Sequence, residues 1–458
     1  RFVDQVYAWE DVTEGSNDSP EGYWSNSYLA IANANLALDG IENLGGATTT
    51  ALKEEKAEAL LCRAYNHFIL VNLFSKAYNS QTSNEDAGIP YMDHTSSEFI
   101  PQVPRGTVAE TYEKIDKDIQ EALPMVGDSH LDVPKYHFNT RAAYAFAARF
   151  YLYYEKWDKA IEYANLCLGT QPKSMLRDWR AIAALAQTYE AVTNQYIAAD
   201  ENSNLLINTA VSRLGVAFGP YYTYSKYAHG NYLAGHEDGS AQNIWGSAPF
   251  YSGMHVYTGT NLDKVLFWKM PYKFETGDAV AGTGYTRTVV TTFTADECLL
   301  NRAEAYILQK KYDEAAADLT LWMQNVIKTN MVLTPENIQK FYKDIPYSYE
   351  VTEEDPQGIQ STIKKHLNPA FAIDAEGSLQ ECMLQCLLDF RRIETMQGGL
   401  RWFDIKRYGI EIIRRTMAAN GTPATKTDVL TKDDDRRAIQ IPQRVRDAGC
   451  PANPRVQK

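Results

Sequence analysis

Three histidines and a cluster of aromatic rings are the residues here whose types and spacing could do chemistry. His229, His236 and His255 fall in one stretch and could share a metal, but they have no carboxylate at a ligand-like interval, so no metal site is expected. Cys382 and Cys386 sit one helical turn apart, yet Met383, Leu384, Leu387 and Leu388 around them mark a buried helix face. Asp433, Asp434 and Asp435, followed by Arg436 and Arg437, read as a solvated turn and not as catalytic carboxylates. No G-x-S-x-G elbow, H-E-x-x-H, Walker loop or EF-hand loop occurs, and Gly282-Thr283-Gly284 lacks the third glycine of a dinucleotide fingerprint. No catalytic residue and no cofactor are therefore expected. Carboxylates of a glycosidase need only meet in space, so an all-α glycoside hydrolase stays open as a less favoured reading. What the sequence does supply is aromatic surface. Of 54 aromatic residues 30 are tyrosines, whose apolar ring and polar hydroxyl suit sugars and peptides.

These rings need elements to position them. The 458 residues are 45% hydrophobic and 22% charged, an ordinary globular composition, and 45 basic against 58 acidic residues give a net charge of −13. That balance argues against a nucleic-acid partner, whose phosphates must be neutralised by Lys and Arg. None of the six cysteines forms a C-x-x-C pair, and no apolar run is long enough to span a membrane. The chain opens at Arg1 without methionine, which reads as a processed or truncated product whose export signal or lipid anchor has been removed.

Apolar residues recur at helical spacing through Tyr28, Leu29, Ile31, Ala32, Asn35 and Leu36, stop at Gly45 and Gly46, and resume from Ala51 to Leu73, predicting a helical hairpin. Thr107 with Glu110 is a capping box that opens a further helix ending at Leu123-Pro124. The stretch from Ala148 to Ala160 aligns without gaps on Ala303 to Ala315, repeating small, aromatic, Lys, aromatic, Asp and small residues. This is the tetratricopeptide pattern, here dispersed and interrupted. Between the copies, Phe218 to Phe274 holds 14 aromatics in 57 residues, with glycines at 215, 219, 230, 235, 239, 246, 253 and 259, and predicts a loop-rich lobe grafted on the helices. The fold class expected is mainly α: one domain over 1–458, with a helical-repeat scaffold near 24–190 and 294–330 and C-terminal helices at 378–416. An irregular ligand-binding lobe is expected near 205–290, an irregular insertion near 343–377, and extended surface coil from Asn420 to Lys458.

The segment Leu388-Asp389-Phe390-Arg391-Arg392 through Gly398-Gly399-Leu400-Arg401-Trp402-Phe403-Asp404-Ile405-Lys406-Arg407 resembles the hallmark of the SusD/RagB family of outer-membrane nutrient-binding lipoproteins. Further blocks agree in order: Trp24, Tyr28, Ile31, Ala34 and Asn35; Ala57-Glu58-Ala59 with Arg63-Ala64-Tyr65; Gly88-Ile89-Pro90; Tyr112, Ile115, Asp118, Ile119 and Leu123-Pro124; and Ile441-Pro442 with Arg444. The resemblance implies a binding protein of four tetratricopeptide units, attached to the membrane through an N-terminal lipid anchor absent from this chain. It also implies docking on a SusC-like TonB-dependent outer-membrane transporter, to which an oligosaccharide or polysaccharide is delivered. Peptide capture is the alternative from the RagB side, and a tetratricopeptide adaptor for protein partners is a further one. Where the family has an acidic residue before Gly-x-Arg-Trp this chain has Gly398, which removes an expected partner of an arginine. Arg401, Asp404 and Arg407 are read as ion pairs and caps fixing a helix entry, with Trp402 and Phe403 in core. For the ligand platform the expected residues are Trp245, Tyr251, Tyr257 and Trp268, with Tyr23 and Trp24 behind them and Asn231, Asp238 and Asn243 bonding hydroxyls.

Overall fold

The computed structural model describes residues 2–96, 103–220, 227, 229–252, 254–259 and 262–455, with backbone only at 254–259, 262–264 and 266. Ten helices carry the scaffold: α1 (Pro20–Asn43), α2 (Thr50–Phe74), α3 (Val108–Ala122), α4 (Thr140–Tyr153), α5 (Trp157–Leu168), α6 (Ala295–Leu308), α7 (Tyr312–Val326), α8 (Pro335–Asp344), α9 (Leu379–Glu394) and α10 (Leu400–Arg407). The chain divides into two compact units, Arg1–Lys156 with Asp433–Lys458, and Trp157–Lys432.

In the first unit the helices start where the sequence supplies caps. Ser19 caps α1, Thr49 caps α2, and Thr107 and Glu110 close the expected capping box on α3. Helix α4 buries almost every residue, because its alanines let neighbouring backbones approach closely, and its Phe146 and Phe150 meet Phe68 of α2. The C-terminal tail is not surface coil. Ile439 N–H donates to the Leu73 carbonyl at 3.0 Å, and Asn453 donates to Phe74 O and Ile439 O while accepting from Arg105. The sequence shows Pro, Gly and charge there; these bonds cap the C-terminus of α2, so the tail is pinned by backbone pairing that composition does not register.

The repeated register has a structural cause. Glu155 and Lys310, at matching positions, both adopt φ 59°, and the next residues, Lys156 and Lys311, bond back to Tyr151 O and Tyr306 O at 2.9 and 2.8 Å. The helix is thus stopped the same way twice, by a left-handed residue and a reverse bond. Ala160 and Ala315 are buried one turn into the following helices.

A second repeat, of a side-chain clamp, recurs at other offsets. Arg63 on α2 donates through Nε and Nη2 to both oxygens of Asp118 on α3 at 2.8 and 2.6 Å, and through Nη1 to Asn35 Oδ1 on α1 at 3.0 Å. In the second unit Arg302 on α6 grips Asp318 on α7 at 2.8 and 2.6 Å and Asn165 on α5 at 2.8 Å. Arg391 on α9 grips Asp404 on α10 at 3.0 and 3.1 Å and Asn301 on α6 at 2.5 Å. Each clamp ties three helices by a planar guanidinium whose fork matches one carboxylate. The hallmark Arg391 and Asp404 are thus a third copy of a pairing already present twice. Arg407 completes the network by binding Glu304, which also accepts from Tyr408. Phe403 is core as expected; Trp402 is only half-buried, and Arg401 departs from the expected ion pairing, since it makes no ion pair among the described residues and contacts Leu388 O instead.

The lobe between the repeats holds more regular structure than its glycines suggest. Strands β1 (Asn204–Val211), β4 (Lys273–Asp278) and β5 (Thr283–Thr294) form an antiparallel sheet in the order β1-β5-β4, and β2 (Met254–Gly259) pairs with β3 (Leu262–Phe267). Its Thr, Val, Tyr and Phe residues favour a pleated surface, and Gly282, at φ 63°, lies in the turn between β4 and β5. At Gly284 a Cβ would lie 2.0 Å from the Glu275 carbonyl oxygen of the paired strand. Residues 345–378 carry no helix or strand, and β6 (Ile412–Met417) pairs with β7 (Pro423–Leu430).

Candidate functional site

In the first unit a cleft of about 600 Å³ opens along α1. Trp24, Tyr28, Ala32, Asn35 and Leu36 recur every three or four residues, so they form one stripe of the helix and one wall of the cleft. Pro90, Met92, His94, Val103 and Pro104 form the facing wall, and Val445 with Ala448–Pro451 closes one side. The extended segment 90–94, a strap across α1, is held by α1 and α2: Tyr28 O–H donates to Pro90 O at 2.7 Å, and Asn35 Nδ2 donates to Met92 O and His94 O at 3.0 and 3.2 Å. His67 accepts from Met92 N–H through Nε2, which places its ring proton on Nδ1 facing Arg63 O. Burial pushes its pKa down to about 3, so it stays neutral. The walls are chiefly apolar and the strap's carbonyls are already bonded, so the cleft favours apolar guests over hydroxyl-rich ones.

Trp24 therefore lies at a cavity wall, but it is 6% exposed and packs edge-on against Phe74 at 4.8 Å. Tyr23, beside it, is 39% exposed.

In the second unit the expected platform does not lie open. Trp245 is 7% exposed and sits against Phe390, while Trp268 is 6% exposed and meets Tyr189 edge-on. Asp238 and Asn243 are buried; Asp238 bonds His229 at 2.6 Å, and Asn243 bonds the carbonyls of Asp238 and Ala241. As open sugar contacts these four are corrected by the structure: Asn243 and Gly246 beside Trp245 suggest exposure, but the area gained by burying a large ring outweighs that local composition, Trp268 lies in the apolar run Val265–Met270, and Asp238 and Asn243 spend their polar groups on the loop itself. Asn231 is exposed at the start of the helix Asn231–Glu237. Tyr257 lies in β2 opposite Lys264, and its side chain falls outside the described residues.

Tyr251 remains half-open. Arg180 and Lys328 stand over its ring at 5.0 and 5.8 Å from the centroid, and the adjacent Ser252 hydroxyl donates to Gln187 at 3.1 Å. A ring edged by guanidinium, ammonium and amide groups offers apolar contact and hydrogen bonds together. Arg180 and Lys328 carry no sequence signal, since they reach Tyr251 only through the fold. Among the described residues no group of three or more His, Cys, Asp or Glu side chains is arranged to hold a metal ion. The Asp434 carboxylate is engaged by Arg436 in a local turn.

Residues 2–152 match a SusD-like family described as starch-binding and associating with the outer membrane. A SusD superfamily protein from Bacteroides thetaiotaomicron superposes with a TM-score of 0.63 at 21% identity, over 99% of this chain and 90% of that one. The chain has the SusD-like fold. A putative sugar-binding protein from Bacteroides vulgatus (TM-score 0.61, 17% identity, 98% and 88% covered) and a laminarin-binding SusD-like protein (0.57, 16%, 97% and 91%) share this SusD-like architecture. No curated protein sequence matches the chain.

Proposed function

We propose that this chain is a non-catalytic carbohydrate-binding protein of the bacterial cell surface. It captures oligosaccharide or polysaccharide and passes it to a SusC-like TonB-dependent transporter, held at the outer membrane by an N-terminal lipid anchor. The observation that carries the reading is the half-open Tyr251 ring between Arg180 and Lys328, set on a SusD-like fold. Support comes from the family description matched by residues 2–152 and from the sugar-binding relatives of the same fold. Among the described residues no helix is long and apolar enough to cross a membrane, which is compatible with a lipid anchor.

Titrating the protein with starch-type and laminarin-type oligosaccharides, followed by tryptophan fluorescence and an assay for reducing ends, tests this directly. Saturable binding without product release supports capture. Release of reducing ends would replace it by hydrolysis, and silence toward every glycan would remove it. The apolar cleft along α1 favours the second reading, capture of peptides, so short apolar peptides belong in the same panel.

A further inference from the structure

A cationic patch in the second unit has no part in the Tyr251 platform. Tyr349 adopts φ 64°, a left-handed backbone that is strained for a bulky residue and that recurs where a side chain must be aimed. It is held there by its N–H bond to Gln360 O at 2.7 Å and by Gly358, where a Cβ would lie 2.7 Å from the Tyr349 carbonyl oxygen. Lys365 Nζ and Arg415 Cζ stand 5.6 and 6.0 Å from the ring centroid.

The charges around this ring do not cancel. Lys365, at 2.9 Å, and Arg392 share the single carboxylate of Glu237, which they hold ionised despite its burial. Arg401 adds a third cation. Among the described residues it makes a long 3.4 Å contact to Leu388 O and its buried Nε finds no partner, nor does Arg415 Nε. Of the other acids nearby, Asp238 bonds His229 and Asp389 accepts from Tyr342, each through Oδ2 with Oδ1 lacking a partner among the described residues, and burial lifts Asp389 to about 7. Burial, with Arg392 beside both, pushes Lys365 down to about 8 and Arg401 to about 10, while Glu237, Asp238 and Asp389 hold Arg392 up. Tyr349, Arg392, Arg401 and Arg415 are half-buried and not sealed.

We propose that Arg401, Arg392 and Arg415 around Tyr349 form a subsite for an anionic sugar, binding its carboxylate or sulfate while the tyrosine ring packs on the pyranose. The inference rests on the carbohydrate-binding reading above and narrows its substrate class to acidic glycans. The half-exposed part of a guanidinium presents a planar fork that matches a carboxylate or a sulfate edge. The patch supplies this attraction against an overall charge of −13, so the selectivity is local.

Calorimetry on the full chain with trigalacturonate, a sulfated trisaccharide and a neutral trisaccharide tests it, with Arg401→Gln, Arg415→Gln and Tyr251→Ala as variants. At least one charged sugar should bind about tenfold tighter than the neutral one. That preference should collapse in Arg401→Gln and weaken between about 50 and 300 mM salt. The two charged probes separate a carboxylate site from a sulfate site. Arg401 has no ion-pair partner to strand, so the variant keeps its fold; Arg415→Gln provides an independent check. Equal affinity for charged and neutral sugars, or an Arg401→Gln variant that keeps the preference, overturns the inference alone. Binding of none of the three overturns it together with the carbohydrate-binding reading.

Discussion

Replacing Asp404 by Asn tests the claim that the hallmark segment is a buried clamp. Asp404 is wholly buried and accepts Arg391 Nε and Nη2 at 3.0 and 3.1 Å, with Arg407 Nη1 at 3.7 Å. Around it, two cations, Arg391 and Arg407, face two anions, Asp404 and Glu304, so the group is neutral as a whole. Asn keeps the size but removes one charge, stranding a guanidinium in the interior. Breaking one side of a buried pair costs about 3–5 kcal/mol, whereas replacing both members by apolar groups is far cheaper. The expected result in urea denaturation, followed by tryptophan fluorescence and circular dichroism, is a loss of about that size for Asp404→Asn. The double variant Arg391→Met with Asp404→Leu should lose at least about 2 kcal/mol less than the sum of its single changes. Lys310→Gln, which removes an exposed pair with Asp374, should change stability by less than about 0.5 kcal/mol. If Asp404→Asn lies within about 1 kcal/mol of the parent, or the double variant is as unstable as the two single losses added, the buried clamp is not what holds α9 and α10 in place.

Burial raises Asp389 and Glu394 to about 7, above ordinary carboxyl values. Between about pH 4 and 7 the unfolded chain releases these protons while the folded chain keeps them, so their contribution falls as pH rises and levels off above 7, by order 3 kcal/mol each. Asp389→Asn should flatten that slope in stability measured from pH 5 to 8; an unchanged slope would show that the group is ionised throughout. Tyr251→Ala should weaken binding of neutral oligosaccharides about tenfold, a loss of roughly 1.4 kcal/mol, while leaving the thermal midpoint within a few degrees; undiminished affinity in the fluorescence titration would move the platform elsewhere. Gly409, at φ 57° with a would-be Cβ 2.2 Å from Asn368 O, should lose more than about 1 kcal/mol on replacement by alanine. A Gly409→Ala protein with the parent's denaturation midpoint would mean that the loop yields. Thr107→Ala should cost about 1 kcal/mol by opening the capping box, and no shift in midpoint would contradict the cap.

Much of the scaffold was legible in the amino-acid sequence because its signals are local. The α1–α2 hairpin, the capping box at Thr107 and the turn shared by Glu155 and Lys310 depend on residues within a few positions of one another, where periodicity and capping chemistry operate. The clamps were half legible. Ala34-Asn35-Leu36 recurs as Ala164-Asn165-Leu166, Leu60-Leu61 before Arg63 as Leu299-Leu300 before Arg302, and Tyr112 with Asp118 as Tyr312 with Asp318. The three members sit at three different offsets, so a gapless alignment meets only one of them.

Which of the candidate rings stay open was decided by tertiary structure. Trp245, beside Asn243 and Gly246, has the composition of an exposed ring and is buried, because a large ring is drawn wherever the fold leaves an apolar hollow; Trp268 lies in the apolar run Val265–Met270, which already points to burial. Tyr251 stayed half-open, and the arginine and lysine over it arrive from segments 71 residues before and 77 after it in the chain. Gly398 is the instructive intermediate case. The sequence by itself determined that an arginine would lack its acidic neighbour; only the packing of α9, α10 and the 345–378 segment decided that Arg401 would stand beside Arg392 and Lys365. Charge balance is a property of volumes of space, and a sequence specifies the charges without specifying the volume they share.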